Sequence, residues 1–306
     1  MKILLTLNKT LDRKGVIRLD SAFYNVYIPL MKLGHEVELY DTVNPIEKDF
    51  EKVVAAFQPE LIFSCATGNK NVTPYEPLDQ IKSITSKGNV KTFNWFCDDT
   101  WRFETFSKDI CKNFLCCSTP EPSFIDEYKR NGYSNIILGS WHCSSDLFLG
   151  RGQVSNAVGF VGGLTQDRKE RLDFLASKKL PVLNFGAPSY EDMIAKYSSC
   201  SIGINFSVNS NCPNKSTQMK LRVMEIANSE SLIFSEYTPQ IENLFKIDKE
   251  IIIFKSNEEM EDKIRYYLKN HGEREKVCRS GRRRFLAEHE SQTRLASILK
   301  SINKFS

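Results

Sequence analysis

Apolar residues fall along this chain in short runs that alternate between two periods. Ile3 to Leu7 is an apolar run of strand length. Ala22 to Leu33 carries apolar positions at helical spacing and stops at Gly34. His35 to Tyr40 (HEVELY) alternates apolar and polar residues, as a half-buried strand does. Ile46 to Phe57 predicts a helix, Leu61 to Cys65 a buried strand, Ile81 to Ser86 a helix, and Lys91 to Cys97 an aromatic-rich strand. Phe114 to Cys117 and Asn135 to Leu138 add two more strands. Strands separated by helix-length segments predict a parallel sheet with right-handed crossovers, the doubly wound pattern.

The pattern then starts again. Ala157 to Val161 predicts a strand that runs into Gly162 and Gly163, followed by a helix over Arg168 to Ser177. Val182 to Phe185 is a strand ending at Gly186, Tyr190 to Tyr197 a helix, and Ser201 to Phe206 a strand. Gln218 to Asn228 predicts a helix, Leu232 to Ser235 a strand, Ile241 to Phe245 a short helix and Ile251 to Phe254 a strand. From Glu258 onward the chain is helical, broken at Asn270–Gly272 and near His289. The turn-rich segment Phe148 to Asn156 separates the halves. The expectation is an α/β protein of two Rossmann-like domains, residues 1–150 and 151–306, with the terminal helices in the second. Each half is close to the usual domain size of roughly 150 residues. The C-terminal ends of their strands would face a common cleft, the default ligand site of such folds.

Composition fits two cores, since 41% of the 306 residues are hydrophobic. The net charge of +4 gives no global field that calls for a nucleic acid. The opening MKILLTLNK turns polar too quickly for a signal peptide. No run approaches the roughly 18 apolar residues of a membrane span. A cytoplasmic protein without a transmembrane segment is expected. None of the nine cysteines forms a Cys-x-x-Cys pair. Cys116 and Cys117 are adjacent, as are His142 and Cys143, and Cys65, Cys97 and Cys200 lie in strand-like apolar runs. They read as small buried hydrophobes in a reducing compartment, with no metal site and no cofactor expected.

Two segments carry candidate chemistry. In GFVGGLTQDRKER, Gly162 and Gly163 sit between a strand and a helix, where glycines let backbone N–H groups approach a phosphate. Arg168 and Arg171 would add charge. A tight strand–helix turn with solvated arginines explains the same residues. In the second half, Asn205 ends an apolar strand, and KLRVME places Arg222 and Glu225 on one helical face, with Lys220 a turn before. A cation there suits a diphosphate, and a carboxylate can accept from both hydroxyls of a ribose. A surface ion pair between Arg222 and Glu225 explains that spacing equally well.

From Lys220 to Leu295 the sequence resembles the C-terminal domain of the spore-maturation-protein (CgeB-like) glycosyltransferases. The likeness is carried by Arg222 and Glu225, SEYTPQIENLF (Ser235 to Phe245), KEIIIF (Lys249 to Phe254), IRYYLKN (Ile264 to Asn270), SGRRRF (Ser280 to Phe285), His289 and Arg294. LGHEVELYD (Leu33 to Asp41) and FNWFCDD (Phe93 to Asp99) resemble the family's N-terminal half. The resemblance implies a GT-B fold and a nucleotide-diphosphate-sugar donor held mainly by the second domain. It also implies transfer to an acceptor hydroxyl, on a glycan or a surface-polymer precursor, without a required metal. By similarity to family 4 transferases, Glu225 takes the place of the second Glu of a Glu-x7-Glu motif, the one expected at the ribose. Thr217 stands where the first would be, and Ser229 and Glu230 replace the usual Gly. The stereochemical outcome therefore does not carry over.

The first domain would then face the acceptor. Asp98 and Asp99 follow a predicted strand at its C-terminal end, where a carboxylate can serve as general base. They could equally cap a loop or helix. His142 is a second candidate base, with a structural role as its alternative, and His35 reads as a turn residue. The loop Asn8 to Asp20 brings cations to the rim or leaves them solvated. The arginines between Arg279 and Arg284 admit a nucleic-acid reading. They are interspersed with Glu273, Glu275 and Glu288, which favours a solvated helix face. Two alternatives to sugar transfer on a glycan remain: a modified-base DNA glycosyltransferase, and a non-catalytic protein of the same fold that binds a sugar nucleotide.

Overall fold

The computed structural model describes residues 1–13, 15–209 and 216–305. The chain divides into two compact units, Met1–Ser144 with Ser291–Ser306, and Ser145–Glu290. The first opens with β1 (Lys2–Leu7) and an antiparallel hairpin of β2 (Thr10–Arg13) and β3 (Val16–Leu19). It continues through β4 (Glu36–Asp41), β5 (Leu61–Ser64), β6 (Lys91–Trp95), β7 (Cys116–Thr119) and β8 (Ile136–Leu138). These form a parallel sheet in the order β4-β1-β5-β6-β7-β8. Ile3 pairs with Val37 on one side and Leu61 on the other, which puts β1 inside the sheet and explains its continuous apolar run.

The second unit repeats the plan with β9 (Ser155–Phe160), β10 (Val182–Asn184), β11 (Cys200–Asn205), β12 (Leu232–Glu236) and β13 (Ile252–Phe254). Its parallel order is β10-β9-β11-β12-β13. In each unit the second strand of the sheet lies on one side of the first and all later ones on the other. That reversal makes a switch point at the C-terminal ends of β1 and β5, and of β9 and β11. Successive connections leave the sheet on opposite sides at such a point, which is where doubly wound folds bind ligands.

The helix Leu221–Asn228 lies against β11 because a glycine allows it. A Cβ at Gly203 would come within 2.6 Å of Ile226 Cγ2 and 3.1 Å of Tyr197 Cδ1. Glycine inside a strand marks such close approaches. Gly203→Ala is expected to destabilise the protein by about 1–3 kcal/mol through overpacking. A lowered denaturant midpoint would show it.

The sequence expectation needs correction at four places, the simplest being that the helix expected from Ile46 begins at Phe50, after Asp49 caps it. The unit boundary falls at Ser144/Ser145, and the last helix leaves the second unit. Helix Ser291–Ile302 buries Leu295, Ile298, Leu299 and Ile302 in the first unit's core, beside Ile3, Leu5, Val26 and Leu30. Its return is fixed by Ser291 N donating to Cys143 O at 3.0 Å and by Ser291 Oγ bonding to His142 Nδ1 at 3.0 Å. Periodicity reveals an apolar face but not which sheet it covers. The helix expected from Gln218 begins at Leu221. Gln218 N is drawn to Ser207 O and Met219 N to Gln240 Oε1, which holds that stretch extended. Asp99–Asn113 and Phe124–Arg130 are helical where no helix was expected. The first is a run of single turns of differing pitch and the second only two turns, so neither shows an extended 3.6-residue period.

Among the described cysteines, six are buried, with Cys65 and Cys97 half-buried. Cys212 and Lys14 lie outside the described residues. No described helix is long and apolar enough to cross a membrane.

Candidate functional site

At the switch point of the second unit, β9 runs into Val161 and Gly162, and β11 ends on Asn205. Arg222, in the first turn of its helix, reaches back and ties the two together. Its Nε donates to Val161 O at 2.9 Å and its Nη1 to Asn205 Oδ1 at 3.2 Å. The guanidinium lies 5.2 Å from the centre of the Phe160 ring. Gly162 is required here, with φ of +144° and a Cβ position only 2.6 Å from Arg222 Nη2. At Gly163 a Cβ would meet nothing within 4 Å, so that position is open.

Arg168 comes from the following helix, Gln166–Ser177, and its Nη1 donates to Gly163 O at 2.9 Å. Its Nε is buried and has no partner among the described residues. Burial, then the like charge of Arg222, pushes its pKa down to about 10. Two guanidinium groups thus flank one glycine turn and repel each other, an arrangement that a bound anion would relieve. Arg171, the other candidate cation of this segment, is already neutralised. Its Nη2 lies 2.7 Å from Glu236 Oε1, and Glu236 Oε2 accepts from Ser207 N and Val208 N.

Asn205 is fully buried, and its Nδ2 donates to Ser235 Oγ at 2.9 Å and Ser207 Oγ at 3.1 Å. Its amide is therefore committed to holding Arg222 in place. Lys220 is the extended residue preceding the helix, and its Nζ donates to Asn209 Oδ1. Glu225 is 5% exposed, one turn beyond Arg222. Burial raises its pKa to about 7, although Arg222 and the Tyr190 hydroxyl oppose the shift. The surface ion pair that the spacing allowed is not what forms, because Arg222 directs Nε and Nη1 to the ends of β9 and β11. Sequence reasoning missed Tyr197, whose buried hydroxyl bridges Val161 N and O at 3.3 and 3.4 Å. It also missed Ser235 and Glu236. Their position at the end of the apolar strand LIFSE, matching that of Asn205, was the available signal.

The raised pKa of Glu225 has a stability consequence. An acid whose native pKa lies above its unfolded value binds more protons when folded. Stability then falls as pH rises from about 4.5 through about 7. At about 1.4 kcal/mol per pH unit, the loss across that window is on the order of 3 kcal/mol. Glu225→Gln should flatten this part of the profile, measurable as denaturant midpoints at pH 5 and pH 8.

In the first unit the two aspartates separate. Asp98 is half-buried before the helix Asp99–Arg102. Asp99 is 1% exposed, and its Oδ2 accepts from the Tyr128 hydroxyl at 3.1 Å. Burial raises its pKa, with hydrogen bonds from Thr119, Ser107 and Tyr128 opposing. Asp99 thus joins a buried network, and Asp98 is the more accessible carboxylate. His142 is fully buried, stacked on Trp95 at 4.9 Å, and burial drives its pKa down to about 3. A neutral, enclosed imidazole that pins the returning helix has a structural role. His289 is buried too, with Nε2 2.9 Å from Leu244 O.

Residues 168–300 match the model of a family described as Glycosyl transferase-like. Among curated proteins, no sequence matches this one. Solved structures resemble the chain over nearly its whole length at low identity. Sucrose-phosphate synthase from Thermosynechococcus elongatus has a TM-score of 0.67 at 10% identity, with 99% of each chain covered. Anabaena HepE in complex with UDP and glucose has a TM-score of 0.65 at 11% identity, with 100% of each chain covered. AviGT4, a glycosyltransferase involved in avilamycin A biosynthesis, has a TM-score of 0.65 at 11% identity, covering 99% of this chain and 97% of its own. The two doubly wound units therefore make up a GT-B fold.

Proposed function

We propose that the protein is a metal-independent glycosyltransferase that moves a sugar from a nucleotide-diphosphate donor to an acceptor hydroxyl. The observation that carries this reading is the convergence of Arg222 and Arg168 on the Gly162–Gly163 turn at the switch point. A diphosphate would supply the missing negative charge there. A single cation about 4 Å from a phosphate charge contributes about 4 kcal/mol at an effective dielectric near 20. Glu225 would accept from the ribose hydroxyls, with Lys220 near the phosphates and Asn205 orienting Arg222. The family match over residues 168–300 and the UDP-containing neighbour support the same donor class. Asp98 is the proposed base at the acceptor, with Asp99 behind it as a positioning residue. The acceptor class proposed is a glycan or surface-polymer precursor, in line with the CgeB-like resemblance.

Titration calorimetry with a panel of nucleoside diphosphates and their sugars tests the donor site, with chelator present to test metal independence. Micromolar binding of at least one is expected, and no binding of any would reject the proposal. Donor hydrolysis or transfer then tests the chemistry. Asp98→Asn should leave donor affinity within about twofold and lower turnover about 10²- to 10⁴-fold, the usual contribution of a general base. A second reading, a sugar-nucleotide-binding protein without transfer, is favoured by Thr217. It stands where related transferases carry a glutamate, and here it is exposed and forms an isolated antiparallel bridge with the half-buried Val208. Donor binding without turnover on any acceptor would establish that reading instead.

A further inference from the structure

The second unit carries a cationic face that the proposed chemistry does not use. Along helix His271–Arg284 and its continuation Phe285–His289, Lys276, Arg279, Arg283, Leu286 and Ala287 share one side, and all five are exposed. Lys276, Arg279 and Arg283 follow one another at steps of three and four residues, and Leu286 and Ala287 lie three and four beyond Arg283, the spacing of one helical face. Beside it lies a recess of about 560 Å³ lined by Glu230, Arg279, Arg282, Arg283, Leu286 and Ala287.

Charges in and around this recess are not balanced. Arg282 forms part of its lining and is compensated. Its Nε lies 3.1 Å from Glu230 Oε1, its Nη1 donates to Asn228 O, and its guanidinium sits 3.8 Å from the centre of the Phe148 ring. The neighbouring acids are engaged elsewhere, Glu250 and Glu288 with Arg284 and Glu275 with Arg151. Among the described residues, Arg279 and Arg283 have no carboxylate within 4 Å. Apolar side chains stand out beside these cations. Leu286 is 42% exposed, and Leu149, next to the Phe148 that Arg282 covers, is 95% exposed.

We propose that this face docks the protein onto an anionic lipid surface. Lipid phosphates would meet Arg279 and Arg283, while Leu149 and Leu286 enter the headgroup region. A free anion or a nucleic acid would use the arginines but gain nothing from a protruding leucine. An anionic bilayer surface rewards both features together. The recess also has no aromatic ring in its lining on which a base would stack. Such peripheral docking requires no spanning helix.

Co-sedimentation of the full chain with vesicles tests the proposal. Binding is expected to phosphatidylcholine vesicles containing phosphatidylglycerol, not to pure phosphatidylcholine, and it should weaken as salt rises. The double variant Arg279→Ala, Arg283→Ala should lose about thirtyfold in partition coefficient. That corresponds to roughly 1 kcal/mol for each basic side chain at such a surface. Leu149→Asp should weaken binding without removing any positive side chain. Both variants should keep the wild-type melting temperature and nucleotide affinity. Equal binding to both vesicle types, or undiminished binding by the double variant, overturns the proposal. So does release from vesicles by millimolar inorganic phosphate at constant ionic strength, which would mark a free-anion site. Salt-sensitive binding to duplex DNA without vesicle binding would assign the face to nucleic acid.

Discussion

Arg222→Ala should lower affinity for a nucleoside diphosphate by about 10²- to 10³-fold. The estimate follows from losing one close cation, worth up to about 4 kcal/mol at a partly buried site. A second effect accompanies it. Asn205 Oδ1 is buried and accepts from Arg222. Removing the guanidinium strands that oxygen, at a cost of about 1–3 kcal/mol in stability. Arg222→Lys separates the two effects, because an ammonium keeps the charge but cannot span Val161 O and Asn205 Oδ1 as the planar fork does. It should fall between wild type and alanine in affinity. Calorimetric titration with UDP, paired with a melting curve, measures both. Unchanged UDP affinity in Arg222→Ala would remove the diphosphate from this turn.

Gly162→Ala should damage the same site without touching a charge. Its φ of +144° is a conformation that alanine adopts only under strain, costing about 1–3 kcal/mol. The new methyl would also stand 2.6 Å from Arg222 Nη2 and 3.5 Å from its Cζ. Arg222 must then swing away from Val161 and Asn205. A fall in melting temperature of roughly 2–4 °C per kcal/mol is expected for a unit of this size, with donor affinity at least about tenfold weaker. Gly163→Ala is the stability control, since its methyl would meet nothing within 4 Å. A Gly162→Ala protein that melts and binds like wild type would mean that this turn can relax around the side chain.

The strands were legible because parallel strands inside a sheet are apolar throughout. LIFS and LIFSE announce themselves in any register. The Gly162–Gly163 turn was only partly legible, since a strand, paired glycines and a helix also describe an ordinary tight strand–helix turn. What the sequence could not separate were residues of the same type and neighbourhood. Arg168 and Arg171 are three positions apart, yet Glu236 neutralises one while the other faces Arg222. Asp98 and Asp99 are adjacent, and only the helix that starts between them turns one inward toward Tyr128. Part of the family-like pattern near the C-terminus proves to be packing. A Cβ at Gly281 of SGRRRF would press on Glu250 O of KEIIIF at 2.3 Å, and His289 holds Leu244 O of the IENLF segment.

The return of helix Ser291–Ile302 to the first unit constrains the order in which the protein can be made. During synthesis the first sheet emerges from the ribosome early, but the apolar surface around Ile3, Leu5 and Val26 stays uncovered. All of Ser145–Glu290 must be translated before the covering helix exists. At about 5–20 residues per second, that leaves nascent chains with an open core for several seconds or more. The unit encoded second is therefore the first that can be completed. A released chain ending at Glu290 should hold a protease-resistant second unit and a first unit still dependent on chaperones.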